Sequence, residues 1–207
     1  MPAIFIGVGG IGGSIVAQVR QELKTRVAFA GDTPAARQRA EDFRFLLVDT
    51  WRDDYSHGFA PSEVFDIPGG AEAHSVNQRI KQLMTSDPPF QDWWPTDPYG
   101  APQVVGNFDH GAGQLRLKGK LAYRISLGNT RTVVSAVEAA LASIQGVLRD
   151  GDGGELIKVY LVSSLGGGTG SGITLALAEH LHQELPHNCR LVGGFPLASG
   201  TELGPPP

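Results

Sequence analysis

Two glycine-rich stretches are the residues in this sequence whose type and spacing could do chemistry. The first is Gly7-Val-Gly-Gly-Ile-Gly-Gly-Ser14 and the second is Ser164-Leu-Gly-Gly-Gly-Thr-Gly-Ser-Gly172. Each follows a short apolar run and precedes a helical pattern. A helix N-terminus offers unpaired N–H groups and the positive end of a dipole, and so attracts phosphate. Glycine lets the backbone come close to such a ligand. Thr169 and Ser171 add hydroxyl donors beside the amides of the second stretch. Two loops of this kind in one sheet could grip a polyphosphate from two sides. Each has a plainer reading: a tight strand–helix turn for the first, a flexible linker for the second.

Taken alone, Gly7, Gly9 and Gly12 also match G-x-G-x-x-G, which suggests a dinucleotide-binding domain. Asp49, an acid ending the second strand, fits that reading through an adenosine ribose. It lies farther from the glycines than the usual ~20 residues. A P-loop is rejected. Gly113 to Gly119-Lys120 has five intervening residues rather than four, and Leu121 stands where a hydroxyl should hold magnesium. Lys118, Lys120 and Arg124 are read as a solvated face, with a salt bridge or phosphate steering as alternatives.

Other signals are weaker. His180 and His182 are two apart on a helix, and with Cys189 they match no zinc spacing. Asp150-Gly-Asp152 reads as a turn. Trp93 and Trp94 read as a loop packed on its own domain, with partner docking as the alternative. Ser163 and Ser164 lack a nucleophile elbow. No residue stands out as a general base.

The elements that must position the glycines follow from periodicity. Apolar runs at Ala3–Gly7, Phe43–Asp49, Leu156–Val162 and Arg190–Phe195 read as strands. Helical stripes run through Ile15–Leu23, Thr130–Leu148 and Ile173–Leu185. The order implies an α/β domain over 1–203, with a mainly parallel, Rossmann-like sheet flanked by helices on both faces. Residues 51–110 read as an irregular insertion with a short helix near Ala71–Met84; the prolines of 87–100 argue against a regular helix there. Residues 204–207 read as a tail. Ligands in such sheets bind at the carboxyl ends of strands, where both glycine stretches lie.

The chain has 207 residues, 41% hydrophobic and 18% charged, with a net charge of -4. That predicts a folded domain and gives no electrostatic drive toward nucleic acid or anionic lipid. One cysteine excludes an internal disulfide, and no apolar run is long enough for a membrane span. The expected compartment is the cytoplasm.

Gly166-Gly-Gly-Thr-Gly-Ser-Gly172 resembles the G-G-G-T-G-[ST]-G signature of tubulin and FtsZ. Gly7–Ser14 is similar to the opening FtsZ loop, and Leu47-Val-Asp-Thr50 resembles its V-N-T-D strand end. Gly111-Ala-Gly113 resembles the G-A-G loop that approaches the terminal phosphate. Val192-Gly-Gly-Phe-Pro196 resembles the strand and turn after the signature helix. The best fit is to large, divergent bacterial tubulin-like proteins.

The resemblance implies binding of GTP and GDP, with Mg2+ on the phosphates, and self-association into filaments. It implies a site of Gly9, Gly10, Ile11, Gly12, Ser14, Asp49, Gly111, Ala112, Gly113, Gly166, Gly167, Gly168, Thr169, Gly170 and Ser171, with Glu202 near the ribose. Ser14 and Asp49 stand where FtsZ has asparagine, and Gln114 where it has alanine. An additional acid near phosphate needs a cation or a ribose hydroxyl. In the family, a second domain supplies the acid that activates water on the neighbour's nucleotide. That domain is not expected within these residues, so the chain alone should hydrolyse slowly or not at all. Three functional readings follow: a GTP-binding domain of tubulin type, an NAD-dependent enzyme domain, and a scaffold that kept the fold without hydrolysis.

Overall fold

The computed structural model describes residues 2–29, 33, 42–50, 58–67, 73–95, 111–127, 133–145 and 156–195. The elements are β1 (Ala3–Val8), α1 (Gly9–Phe29), β2 (Phe43–Asp49), a 3-10 turn (Pro61–Glu63), β3 (Val64–Asp66), α2 (Ala73–Ser86), α3 (Pro88–Gln91), α4 (Arg116–Ser126), α5 (Val133–Gln145), β4 (Ile157–Ser163), α6 (Gly168–Glu184) and β5 (Cys189–Gly194). The sheet has five strands in the order β3-β2-β1-β4-β5, and every pair is parallel.

The alternation of side chains along β1 and β4 explains the two layers. Ile4, Ile6 and Val8 point to one face beside Val159 and Leu161, all essentially inaccessible to water. They join one core with Leu121 of α4, Val137 and Ile144 of α5, and Ile173, Leu177 and Leu181 of α6. The opposite face carries an aromatic ladder. Phe5 stacks on its register partners Phe45 and Tyr160, with ring centroids at 5.5 Å and 4.9 Å. Val16 of α1 closes a smaller core there with Phe45, Leu47, Phe59 and Val64. Helices thus lie on both faces, as the apolar patterning implies.

The stretch read as irregular is more ordered than its sequence suggests. Besides α2, which matches the helix expected near Ala71–Met84, it holds β3 and α3 among its described residues. A three-residue strand is too short to show a period. Pro88 and Pro89 open α3 rather than preventing it, because the first helical positions need no N–H partner. Asp87 caps that turn by accepting from the Phe90 amide.

This segment folds back onto α4. Phe90 is fully buried and packs against Trp93 and Trp94. Arg124 forms an ion pair with Asp87, and the Lys120 ammonium sits 4.2 Å from the centroid of the Trp93 ring. Two of the three cations read as a solvated face therefore hold the segment in place.

Helix α4, which the sequence reading did not mark, packs against α6 through bare backbone. A Cβ on Gly172 would stand 2.5 Å from the Arg116 carbonyl oxygen and 2.6 Å from the Lys120 nitrogen. A Cβ on Gly119 would overlap the Gly168 carbonyl. Overpacking of this kind costs about 1–3 kcal/mol. Gly172→Ala should therefore lower stability by about that amount in urea unfolding. The Arg124 hydrogen bond holds the Asp87 carboxyl below its ordinary value of 3.8. A depressed folded-state value means the stabilisation is full above the unfolded value and is lost as pH falls through the folded one. Acidification below pH 3.8 should release the 87–94 segment first, read as a red shift of tryptophan emission that Asp87→Asn already shows in part at pH 7.

Candidate functional site

The sheet changes direction between β1 and β4: β2 and β3 extend from one side, β5 from the other. At the carboxyl ends of a parallel sheet this is where a crevice opens. Helix α1 begins at Gly9, immediately after β1 ends at Val8, and α6 begins at Gly168, soon after β4 ends at Ser163. The glycine stretches are therefore mostly first helical turns rather than loops. The two turns touch: a Cβ on Gly9 would lie 3.0 Å from the Gly170 nitrogen and 3.3 Å from the Thr169 Cβ. Gly9 also has φ of 71°, which favours glycine. Two positive helix ends thus converge on one place.

A cleft of about 350 Å³ opens there. Of the residues singled out from the sequence, Gly9, Gly10, Ile11, Asp49, Gly111, Ala112, Gly113, Gly167, Gly168, Thr169 and Gly170 line it. Gly12, Ser14, Gly166 and Ser171 do not, and Glu202 lies outside the described residues. Val8, Thr50, Gln114 and Ser164 also line it, although they were not singled out as site residues. Thr50 carried a usable signal: a polar residue directly after a buried strand, within the motif at 47–50.

The glycines divide into two roles. A Cβ on Gly12 would overlap the Val162 carbonyl, so Gly12 seats α1 on β4. A Cβ on Gly168 would overlap the Gly113 carbonyl, and one on Gly170 would come within 2.6 Å of the Ser164 oxygen. Gly167 has nothing within 4 Å and extended backbone, with φ of −89°. Packing demands the first three, whereas Gly167 leaves room in the cleft.

Several groups read as phosphate donors are engaged inside the protein. Ser14 Oγ donates to the Gly10 carbonyl at 2.9 Å, and Ser171 Oγ donates to the Gly167 carbonyl. The Gly168 amide donates to Gly113 O at 2.9 Å, and the Gly166 amide to Ser164 Oγ at 3.1 Å. Thr169 Oγ1 donates to Asp49 Oδ1 at 3.1 Å and lies 2.7 Å from Thr50 Oγ1. Thr50 N donates to the same Asp49 oxygen at 2.7 Å, and the Ala112 amide donates to Thr50 Oγ1 at 2.8 Å. Asp49, Thr50 and Thr169 are all buried. The network joins the end of β2, the 111–113 wall and the first turn of α6.

Asp49 is the only acid among the described residues that line the cleft. Among the described residues no group of three or more His, Cys, Asp or Glu could hold a metal ion. His180 lies 3.1 Å from the Tyr123 hydroxyl, linking α6 to α4. Burial pushes the Tyr123 phenol up to about 12, so that link is neutral on the tyrosine side.

A family model described as tubulin like matches residues 4–198. This chain belongs to the tubulin-like family. Among solved structures, the tubulin-like chain is similar in fold to CetZ1 from Haloferax volcanii, described as a GDP bound monomer. The TM-score is 0.53 at 19% identity, covering 99% of this chain and 44% of that one. CetZ2 from the same organism, described as a GTPgS bound protofilament, gives a TM-score of 0.47 at 18% identity, with 93% and 39% covered. The tubulin-like chain thus spans less than half the length of either. No match is found among curated proteins. Among the described residues no helix is long and apolar enough to cross a membrane.

The division of the glycines makes a paired prediction. Gly167→Asp places a favourable N-cap residue before α6 and should leave the melting temperature unchanged or slightly raised. Gly168→Asp meets the Ala112 and Gly113 carbonyls and should lower stability by about 2 kcal/mol or more, checked by thermal unfolding of both variants.

Proposed function

We propose that the tubulin-like chain binds GTP and GDP in this cleft, with the phosphates held by the first turns of α1 and α6 and Mg2+ carried on the phosphates. The observation that carries the reading is the convergence of two helix N-termini on one crevice, with Gly167 leaving it open. Membership of the tubulin-like family supports it, as does the description of the fold relative CetZ1 as GDP bound. Hard oxygen-loving Mg2+ keeps most of its waters and takes few protein ligands, which suits a cleft with a single acid among its described lining residues. The NAD reading needs only the α1 turn. It gives the α6 turn and the 111–113 wall no role, and Asp49 already accepts from Thr50 and Thr169.

We further infer that the protein self-associates and that turnover depends on assembly. Asp49 is held in the internal network and is the one acid among the described residues that line the cleft. Water activation then falls to a carboxylate brought by a neighbouring copy. GTP turnover per subunit should rise with protein concentration; a rate per subunit independent of concentration rejects this.

Titration calorimetry with GTP, GDP, ATP and NAD, each with Mg2+, tests the binding reading on the unmodified chain and on Gly167→Asp. A carboxylate at the mouth of α6 repels phosphate while the fold stays intact. GTP affinity should drop at least about tenfold, the scale of one lost charged hydrogen bond. NAD binding indifferent to Gly167 supports the dinucleotide enzyme instead. No heat with any nucleotide overturns the binding reading for this chain.

A further inference from the structure

No residue of α4 lines the cleft, yet the helix rests on a turn that does. A Cβ on Gly119 would overlap the Gly168 carbonyl and stand 3.1 Å from the Thr169 Cα. Gly168 and Thr169 are the first two residues of α6, and both line the cleft. One turn further along α6, a Cβ on Gly172 would stand 2.6 Å from the Lys120 nitrogen. Backbone meets backbone at both points, and no side chain lies between them to give way.

The contact to the cleft turn and the contact to the aromatic segment fall on consecutive residues of α4. Lys120 follows Gly119, and its ammonium lies 4.2 Å from the centroid of the Trp93 ring. Burial, with the Arg116 charge second, pushes that ammonium down from its ordinary value of 10.5. Arg116 and Lys120 are like charges one turn apart, an unfavourable pair that the aromatic face offsets. Arg124 lies four residues beyond Lys120 on the same face of α4 and pairs with Asp87, the residue that caps α3. Phe90 and Trp94 sit in the main core, and half-buried Trp93 packs at its margin. The segment therefore grips α4 at two successive turns, beside the place where α4 meets the cleft.

We propose that the 87–94 segment is a brace for the cleft, with Lys120 and Arg124 as the positioning residues through which it holds α4 against the first turn of α6. Docking of the segment and occupancy of the cleft are then coupled. The occupancy half rests on the nucleotide reading above; the bracing half does not. Neither cation touches a ligand in this account. Close packing carries the displacement from one end to the other. Coupling is reciprocal: whatever the brace adds to ligand affinity, the ligand adds to docking of the brace.

The experiment is hydrogen exchange and calorimetry on the unmodified chain, Lys120→Gln, Lys120→Arg and Asp87→Asn. The Gly168 amide, which donates to Gly113 O, and the Ser171 amide, which donates to Gly167 O, report on the first turn of α6. Both should exchange at least about threefold faster in Lys120→Gln, the scale of one lost cation–aromatic contact, while the β2 amides keep their rates. Arginine sits equally well on an aromatic face, so Lys120→Arg should restore the slow rates. Asp87→Asn loosens the other grip and should repeat the effect, so the test survives misfolding of either variant. Unchanged exchange at Gly168 and Ser171 overturns the brace, as does equal acceleration in β2, which marks a general loss of stability. GTP with Mg2+ should bind Lys120→Gln and Asp87→Asn at least about threefold more weakly than the unmodified chain. In the unmodified chain it should slow exchange of the Trp94 amide, which donates to Phe90 O at 3.0 Å. GTP binding that leaves Trp94 unprotected, or equal affinity in all four proteins, overturns the coupling. An unmodified chain that binds no nucleotide overturns the reading of the cleft, a distinct outcome, and the exchange rates of the variants then decide the brace by themselves.

Discussion

The structure depends on how closely two helices can start. Helices α1 and α6 leave adjacent strands of one sheet, and their first turns must share the space above β1 and β4. Gly9 stands against Thr169 and Gly170, Gly12 against the Val162 carbonyl, and Gly170 against the Ser164 oxygen. No side chain fits between these backbones. Two positive helix ends therefore lie side by side, an arrangement that is unfavourable by itself and favours an anion between them. The cleft is the consequence of the packing, and the network of Asp49, Thr50 and Thr169 closes it from behind.

The same logic extends outward from α6. Its next turn meets α4 through Gly172 and Gly119, again backbone to backbone. Helix α4 then carries Lys120 and Arg124, which bind the aromatic segment around Phe90, Trp93 and Trp94. One helix thus borders the cleft at its start and seats the insertion through its neighbour. Stiffness at the cleft comes from this stack of close contacts, since interiors packed at this density transmit displacement.

The strands and most of the helices were legible because their burial is periodic. Ile4, Ile6 and Val8 alternate along β1, and Ile173, Leu177 and Leu181 recur at helical spacing along α6; each pattern matches the face that is buried. What stayed hidden was set by partners distant in sequence. Helix α4 was overlooked because Gly119, poor in an isolated helix, is needed where α6 approaches. The role of Thr50 depends on Thr169 and Ala112, which no local spacing reveals. The glycine signature was read as a phosphate motif. It did not reveal that Gly12, Gly168 and Gly170 answer first to packing, or that the hydroxyls of Ser14, Thr169 and Ser171 already have acceptors.

The central strand carries a cost during synthesis. Val8 pairs with Val48 on one side and with Ser163 on the other. A ribosome adding about 5–20 residues per second takes several seconds to roughly half a minute to travel from β1 to β4. Throughout that interval β1 presents one unpaired edge, rich in Ile4, Phe5 and Ile6, to everything else in the cell. The nascent chain is therefore most vulnerable to aggregation well before its cleft exists. Only when β4 and the α6 turn emerge can that edge be paired and the two glycine turns pack, so the sheet and the cleft are completed together.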